Sequence, residues 1–270
     1  MAVTAAIIQA RLASTRLPGK VLMPLGGPTV LARCLARARR VPGVDAVCVA
    51  TVPGADGEPI AAEARRCGAE IFIGSETDVL ARYAGAARML GADVVLRVTS
   101  DCPFIDPGLA GEVLDLRAAE RAGLAANNAP ASFPYGADCE AFTTDWLLRA
   151  EREAHESHER EHVTPFIRTH PGARRVSLVE AEPDAFAIGL RWAVDYPEDL
   201  AFARAAQGLL DMASSSGRYE DLSNLLRGRP DIVALNAMRA DSARLSVAPS
   251  GFRIVVRGRS TRTVTSAARA

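Results

Sequence analysis

The sequence predicts an α/β protein, built as a doubly wound, mostly parallel sheet with a small helical extension toward its C-terminal end. Three observations predict it. The first half alternates short apolar runs with helix-periodic segments four times, the pattern of strands joined by crossover helices. Those runs are nearly continuous rather than alternating, as strands covered on both faces are. The polar, chemistry-bearing loops begin where the runs end, which is where such sheets bind ligands.

Val3 to Ile8 reads as the first buried strand. Val30 to Arg40 reads as a helix, with Leu31, Cys34, Leu35 and Ala38 at helical spacing. Ala46 to Thr51 is a second buried strand, Ile60 to Cys67 a helix ended by Gly68, and Glu70 to Ile73 a short strand. Asp78 to Leu90 is a helix that Ser75 or Thr77 can cap. Asp93 to Thr99 is another buried strand, ending at Ser100-Asp101-Cys102-Pro103, and Gly108 to Arg121 a further helix. The second half changes character. Ala125 to Phe142 is loop-rich, Thr144 to Glu156 helical, and Arg174 to Glu180 and Leu190 to Val194 are strands. Asp195 to Asp199 caps a helix running to about Met212. A Ser-Gly linker at 214–217 leads to two short helices, Tyr219 to Leu226 and Ile232 to Arg239. From Ser246 the chain is Arg-, Ser- and Thr-rich, with Phe252 to Val256 as an edge strand and a disordered last ten residues. Expected domain bounds are therefore 1–213, 214–245 and 246–270.

Composition narrows the function. Half the residues are hydrophobic (49%), ample for a core, and formal charges cancel to +0, which predicts neither a nucleic-acid nor a membrane partner. No segment approaches the ~20 apolar residues of a membrane span, and no secretory leader is evident. Five scattered cysteines, with no C-x-x-C, argue for a reducing cytoplasm over a disulfide framework.

One loop stands out, Gln9 to Lys20, directly after the first strand. It carries Arg11, Ser14, Thr15, Arg16 and a Pro-Gly turn. Lys20 is the only lysine in a chain whose Lys and Arg total 32. A preference for arginine explains the arginines but not where the lysine persists. An ammonium is a compact point charge suited to phosphate, beside arginine forks and turn N–H groups. Neither a Walker A loop nor a dinucleotide fingerprint is present, and a basic surface turn would have similar composition. Asp101, directly after a buried strand and before Pro103, is placed either for a hard cation or to cap a turn. Asp195 stands before an acidic helix start, where N-capping is an equally ordinary use. Glu198 and Asp199 read as helix-end residues. His155, His158 and His162 tempt a zinc reading at i, i+3 and i+7, but they sit in a charged, solvated stretch with no orienting partners evident.

The ordered set Ala10-Arg11-x-x-Ser14-Thr15-Arg16-Leu17-Pro18-Gly19-Lys20, Leu25-Gly26-Gly27, Val49-Ala50-Thr51, Gly74-Ser75-x-x-Asp78-Val79-Leu80-x-Arg82-Tyr83, Asp101-Cys102-Pro103, Glu161-His162-Val163-Thr164-Pro165 and Val194-Asp195-x-Pro197-Glu198-Asp199 resembles the cytidylyltransferases that activate acidic sugars. These include the enzymes for 3-deoxy-manno-octulosonate and acylneuraminates. The nearer resemblance is to the SpsF-type branch, named for spore coat polysaccharide biosynthesis, and it spans roughly residues 5 to 240. It implies a sheet of the nucleotide-diphospho-sugar transferase (GT-A-like, Rossmann-like) type, and transfer of CMP from CTP to a small acidic acceptor with release of pyrophosphate. It implies Mg²⁺ on Asp101 and Asp195. Arg11, Lys20 and Asp101 would be catalytic, and the nucleotide would meet Gln9, Ala10, Arg11, Ser14, Arg16, Lys20, Thr51, Ser75, Asp78 and Arg82. For Asp78 and Arg82 an i, i+4 pair on a capped helix is the structural alternative. The resemblance places Tyr135, Asp138, Glu140, Arg160, Glu161, His162 and Thr164 near the acceptor, in a subregion of about 125–190. The alternative for Asp138 and Glu140 is outward alternation on a strand. A homodimer is expected. A uridylyl- or guanylyltransferase and a non-catalytic nucleotide-binding protein are the competing readings.

Overall fold

The computed structural model describes residues 2–215, 217–240 and 251–258. Its strands are β1 (Thr4–Gln9), β2 (Ala46–Thr51), β3 (Glu70–Ile73), β4 (Val94–Thr99), β5 (Leu124–Ala126), β6 (Glu140–Thr143), β7 (Arg175–Val179) and β8 (Arg253–Val256). Its α-helices are α1 (Val30–Ala38), α2 (Glu58–Arg66), α3 (Val79–Leu90), α4 (Pro107–Ala119), α5 (Thr144–Glu153), α6 (Ser157–His162), α7 (Pro165–Thr169), α8 (Ala185–Gly189), α9 (Pro197–Met212), α10 (Tyr219–Arg227) and α11 (Pro230–Val233).

All eight strands form one sheet in the order β3-β2-β1-β4-β6-β5-β7-β8. Only β6 runs antiparallel to its neighbours. β1 is central and its interior is fully buried, which accounts for its unbroken apolar run. Two hydrophobic clusters cover the two faces. One gathers Ile8, Leu31, Leu35, Leu96 and Phe202, the other Ile7, Leu80, Tyr83, Val95 and Phe142. Successive residues of β1 and β4 point to opposite clusters, as a period of two demands. Among the described residues no helix is long and apolar enough to cross a membrane.

The first four strands and their helices follow the sequence expectation, and the edge strand near Phe252 is β8, paired in parallel with β7. Other elements differ. Leu190 to Val194 is not a strand. It makes one isolated bridge, Tyr135 to Arg191, and its other bonded backbone groups reach Ala187, Asp101 and the Asn236 side chain instead of a ladder. β5, three residues long, lies inside the stretch read as loop, and α8 was not anticipated. The expected helix from Thr144 breaks after Glu153 and restarts at Ser157, so the three histidines do not share one helix. Asp78, rather than Ser75 or Thr77, caps α3 by accepting from the Ala81 N–H at 2.9 Å. The disordered tail expected over the last ten residues lies outside the described residues.

Candidate active site

The carboxyl ends of β1 and β4 open into a cavity of about 870 Å³. The Gln9–Lys20 loop forms one wall. Inside it the Gly19 N–H donates to the Leu12 carbonyl at 3.0 Å, and the Leu17 N–H to Ser14 Oγ at 3.3 Å. Gly19 takes a left-handed turn (φ 71°), where a side chain would be strained, and delivers Lys20 into a short 3-10 turn. Lys20 therefore points inward on a folded loop, not outward on a mobile one.

Lys20 Nζ donates to Asp101 Oδ2 at 3.0 Å and to Asp195 Oδ1 at 2.8 Å. Arg16 Nη2 donates to the same Asp195 oxygen at 2.7 Å. Residues from three distant parts of the chain thus meet around one ammonium. The Val194 N–H donates to the Asp101 carbonyl at 2.8 Å, which ties the two aspartate-bearing segments by backbone. Burial works against the Lys20 charge, but Asp101 and Asp195 outweigh it and raise its pKa. Burial likewise opposes the Asp101 carboxylate, yet Lys20 and the Thr99 hydroxyl hold it below the usual range. Both groups are charged at neutral pH. Burial, then the Asp101 charge, pushes the neighbouring Cys102 thiol well up, so it is not a thiolate nucleophile.

Farther along, Tyr135, Asp138, Glu140, Glu161 and His162 line the same cavity. Gly136 lets the 135–138 segment lie against the 191–193 segment, since a Cβ there would sit 2.7 Å from the Ala193 nitrogen. Burial pushes the Tyr135 phenol up to about 12, which keeps its proton available for donation. Glu140 does not alternate outward. It is buried, and it accepts from Arg97 Nη1 (3.0 Å), Arg168 Nε (2.7 Å) and the Thr164 hydroxyl (2.9 Å).

Of the nucleotide-side residues, Gln9, Ala10, Arg11, Ser14, Arg16, Lys20 and Arg82 line the cavity. Thr51, Ser75 and Asp78 do not, and neither do Arg160 and Thr164 of the acceptor-side set. Thr51 is fully buried. Ser75 Oγ accepts from the Asp78 N–H at 3.2 Å. The i, i+4 pair of Asp78 and Arg82 is not made. Asp78 instead binds Arg160, and Arg82 donates to the Ser75 and Glu76 carbonyls. Asp199 is a helix-end residue as expected, accepting from the Asp195 and Tyr196 N–H groups at 3.0 Å each, but it also binds Arg191.

Three wall-building residues escaped the sequence reading: Arg97, Arg168 and Arg191. For Arg97 and Arg191 a signal existed. Each is a lone charge inside an apolar run, Val-Val-Leu-Arg-Val and Leu-Arg-Trp-Ala-Val. Such a charge needs a buried partner.

A cationic loop facing an aspartate pair across the strand ends of a parallel sheet defines the class of protein, a nucleotidyltransferase. The chain belongs to the cytidylyltransferase family, whose model matches residues 5–209. It is 32% identical over 236 residues to the spore coat polysaccharide biosynthesis protein SpsF of Bacillus subtilis, covering 83% of this chain and 94% of that one. A shorter match, 44% identical over 106 residues, covers 38% of this chain and 42% of a 3-deoxy-manno-octulosonate cytidylyltransferase from Anaeromyxobacter. Among solved structures, a cytidylyltransferase from Leptospira borgpetersenii superposes with a TM-score of 0.79 at 27% identity, covering 86% of this chain and 97% of that one.

Proposed function

We propose that the protein is a Mg²⁺-dependent enzyme that transfers CMP from CTP to a small acidic acceptor, a sugar acid or related acid, and releases pyrophosphate. The observation that carries this reading is the single ammonium of Lys20, bonded to both Asp101 and Asp195 beneath a loop that also holds Arg11 and Arg16. Two carboxylates within reach of one cation are a donor set of hard oxygens, which fits Mg²⁺ with phosphate and water completing its shell. Asp101 and Asp195 would hold that ion, which supplies charge neutralisation at the α-phosphate and a lowered pKa for the acceptor hydroxyl.

The chain's own residues do the rest. Lys20 and Arg16 both donate to Asp195, and they would turn to the β- and γ-phosphates when a triphosphate enters. Arg11 joins them on the same wall. Together they stabilise the charge that develops on pyrophosphate as it leaves, with no covalent intermediate. At the other end Tyr135, Asp138, Glu161 and His162 orient the acceptor, Glu140 lines and braces that wall, and Arg160 and Thr164 support it from behind. Arg97 lines the cavity with one face of its guanidinium held by Glu140 and offers a cation to an acceptor carboxylate. The partial match to a 3-deoxy-manno-octulosonate cytidylyltransferase supports an acidic sugar as acceptor, and the SpsF match supports a place in polysaccharide biosynthesis. A cytoplasmic homodimer is part of the proposal, and the cysteines among the described residues, all free thiols, fit a reducing compartment.

The test is a pyrophosphate-release assay with each of the four nucleoside triphosphates against a panel of sugar acids, with and without EDTA. CTP alone should support turnover, and EDTA should abolish it. Turnover with UTP or GTP in place of CTP would replace this reading with the competing one.

A further inference from the structure

We infer that Asn236, in the segment after α11, is a positioning residue that fixes the Asp195 carboxylate. This rests on the proposed role of Asp195 as a ligand of the nucleotide-bound cation. Asn236 lies beyond the segment that the family model matches, just after α11, and is 3% exposed. Its Nδ2 donates to Asp199 Oδ1 and to the Arg191 carbonyl, each at 2.9 Å. Asp199, 1% exposed, also accepts from Arg191 Nε at 3.0 Å and from the Asp195 and Tyr196 N–H groups. Arg191 Nη2 then donates to Asp195 Oδ2 at 2.5 Å. One amide therefore grips the backbone and the counter-charge of the arginine that holds Asp195 from behind.

A second line runs in parallel. Arg239 lies over the Tyr196 ring, 4.0 Å from its centroid, and pairs with Glu198 at 3.1 Å. Arg16 of the phosphate loop lies 5.2 Å from the same ring centroid. The extension thus reaches Asp195 from behind through Arg191, and reaches Arg16 on its front oxygen through the Tyr196 ring.

The extension does not need Asn236 in order to dock. Leu222, Leu226 and Ile232 are buried in the main core, and the Tyr219 N–H donates to Asp106 at 2.9 Å. Asn236 is instead a polar contact whose partners lead to Asp195. Removing it leaves a buried carbonyl and a buried carboxylate each short of a donor, and the slack falls on Arg191 and Asp195. Losing a group bonded directly to a metal ligand typically costs 10- to 100-fold in affinity or activity, and Asn236, one contact further out, should act at the low end of that range.

The experiment uses the full chain as wild type, Asn236→Ala, and Asn224→Ala, an exposed control on α10. It measures kcat, KM for CTP, the Mg²⁺ concentration for half-maximal rate, CTP binding by calorimetry with Mg²⁺ and with EDTA, and the melting temperature. For Asn236→Ala, half-saturating Mg²⁺ should rise by up to about 10-fold, the low end of the range for groups bonded directly to a ligand. Its Mg²⁺-dependent CTP binding should weaken while binding in EDTA is unchanged, and Asn224→Ala should match wild type. An Asn236→Ala protein with wild-type Mg²⁺ dependence overturns the inference, even if it melts earlier. If that variant does not fold, Asn236→Ser is read the same way. Because it keeps a hydroxyl donor, it should fall between the two. A wild type that neither turns over CTP nor binds it with Mg²⁺ overturns the cytidylyl-transfer reading itself, and the inference falls with it.

Discussion

Two buried carboxylates in the cavity wall, Asp195 and Glu140, are each wrapped in cations, yet the wrappings differ. Asp195 is held from behind by Arg191, while its front oxygen faces Lys20 and an Arg16 whose side chain is 49% exposed. Glu140 is closed in by Arg97, Arg168 and the Thr164 hydroxyl. The front partners of Asp195 sit on the Gln9–Lys20 loop, and on the proposed function they would leave it for a phosphate. Those of Glu140 come from β4, α7 and the start of α7, elements fixed by their own hydrogen bonds. Equal burial therefore hides different wrappings: on the proposed function one carboxylate would exchange its partners, while the other is locked into a wall.

The largest expected effect breaks the locked side. Glu140→Ala leaves two arginines facing a buried gap, and losing one partner of a buried pair costs about 3–5 kcal/mol. Urea melts of the variant should show that loss, and a change under about 1 kcal/mol would mean the network is slack. Next comes the exchanging side. Lys20→Ala and Asp101→Ala should each lower the rate of pyrophosphate release at least ~100-fold, as losing an electrostatic stabiliser does. Either variant working at the wild-type rate removes that residue from the mechanism.

A smaller effect separates the two sides by pH. Burial pushes the Glu140 carboxyl up, but Arg168 and Arg97 outweigh it and hold it below the usual carboxylate range. Its pKa is thus lower folded than unfolded. The stability it lends is complete above the unfolded value, about 4.3, and is lost as pH falls through the folded one. In urea melts from pH 6 down to pH 3, wild type should lose stability relative to Glu140→Gln. Parallel curves would show that Glu140 does not titrate against its arginines.

That Lys20, Asp101 and Asp195 come together was legible in the sequence, and the arginines that close in Glu140 were not, for a physical reason. Lys20, Asp101 and Asp195 each follow a strand or an apolar run, and a parallel sheet brings strand ends together whatever the loops contain. The first four strands announced themselves because burial on both faces leaves an unbroken apolar run. The resemblance places Glu140 near the acceptor, but its residue pattern leaves outward alternation open, because alternation carries no sign of which face a partner will cover. Its arginines lie 43 and 28 positions away, and only the fold brings them to it. The same holds for Asn236, 37 positions from Asp199. Leu190 to Val194 misled in the other direction. Its apolar residues pack in the core, but its backbone bends to aim Arg191 and Asp195 instead of extending a ladder.

The smallest effect sharpens the boundary between the two sides at Arg160. Its resemblance to an acceptor-site residue and its contacts point in different directions. It binds Asp78 at the start of α3 and donates to the Glu151 carbonyl at 2.7 Å, and it does not line the cavity. The Asp78 pair is about one quarter exposed on both sides, so breaking it should cost no more than about 1 kcal/mol. Arg160→Ala should thus leave stability nearly intact while freeing α6, which carries Glu161 and His162 into the cavity. If Arg160 only steadies that helix, KM for the acceptor should rise a few-fold with kcat and KM for CTP unchanged. A fall in kcat as large as that of Lys20→Ala would instead put Arg160 itself on the substrate, with α6 moving to bring it there.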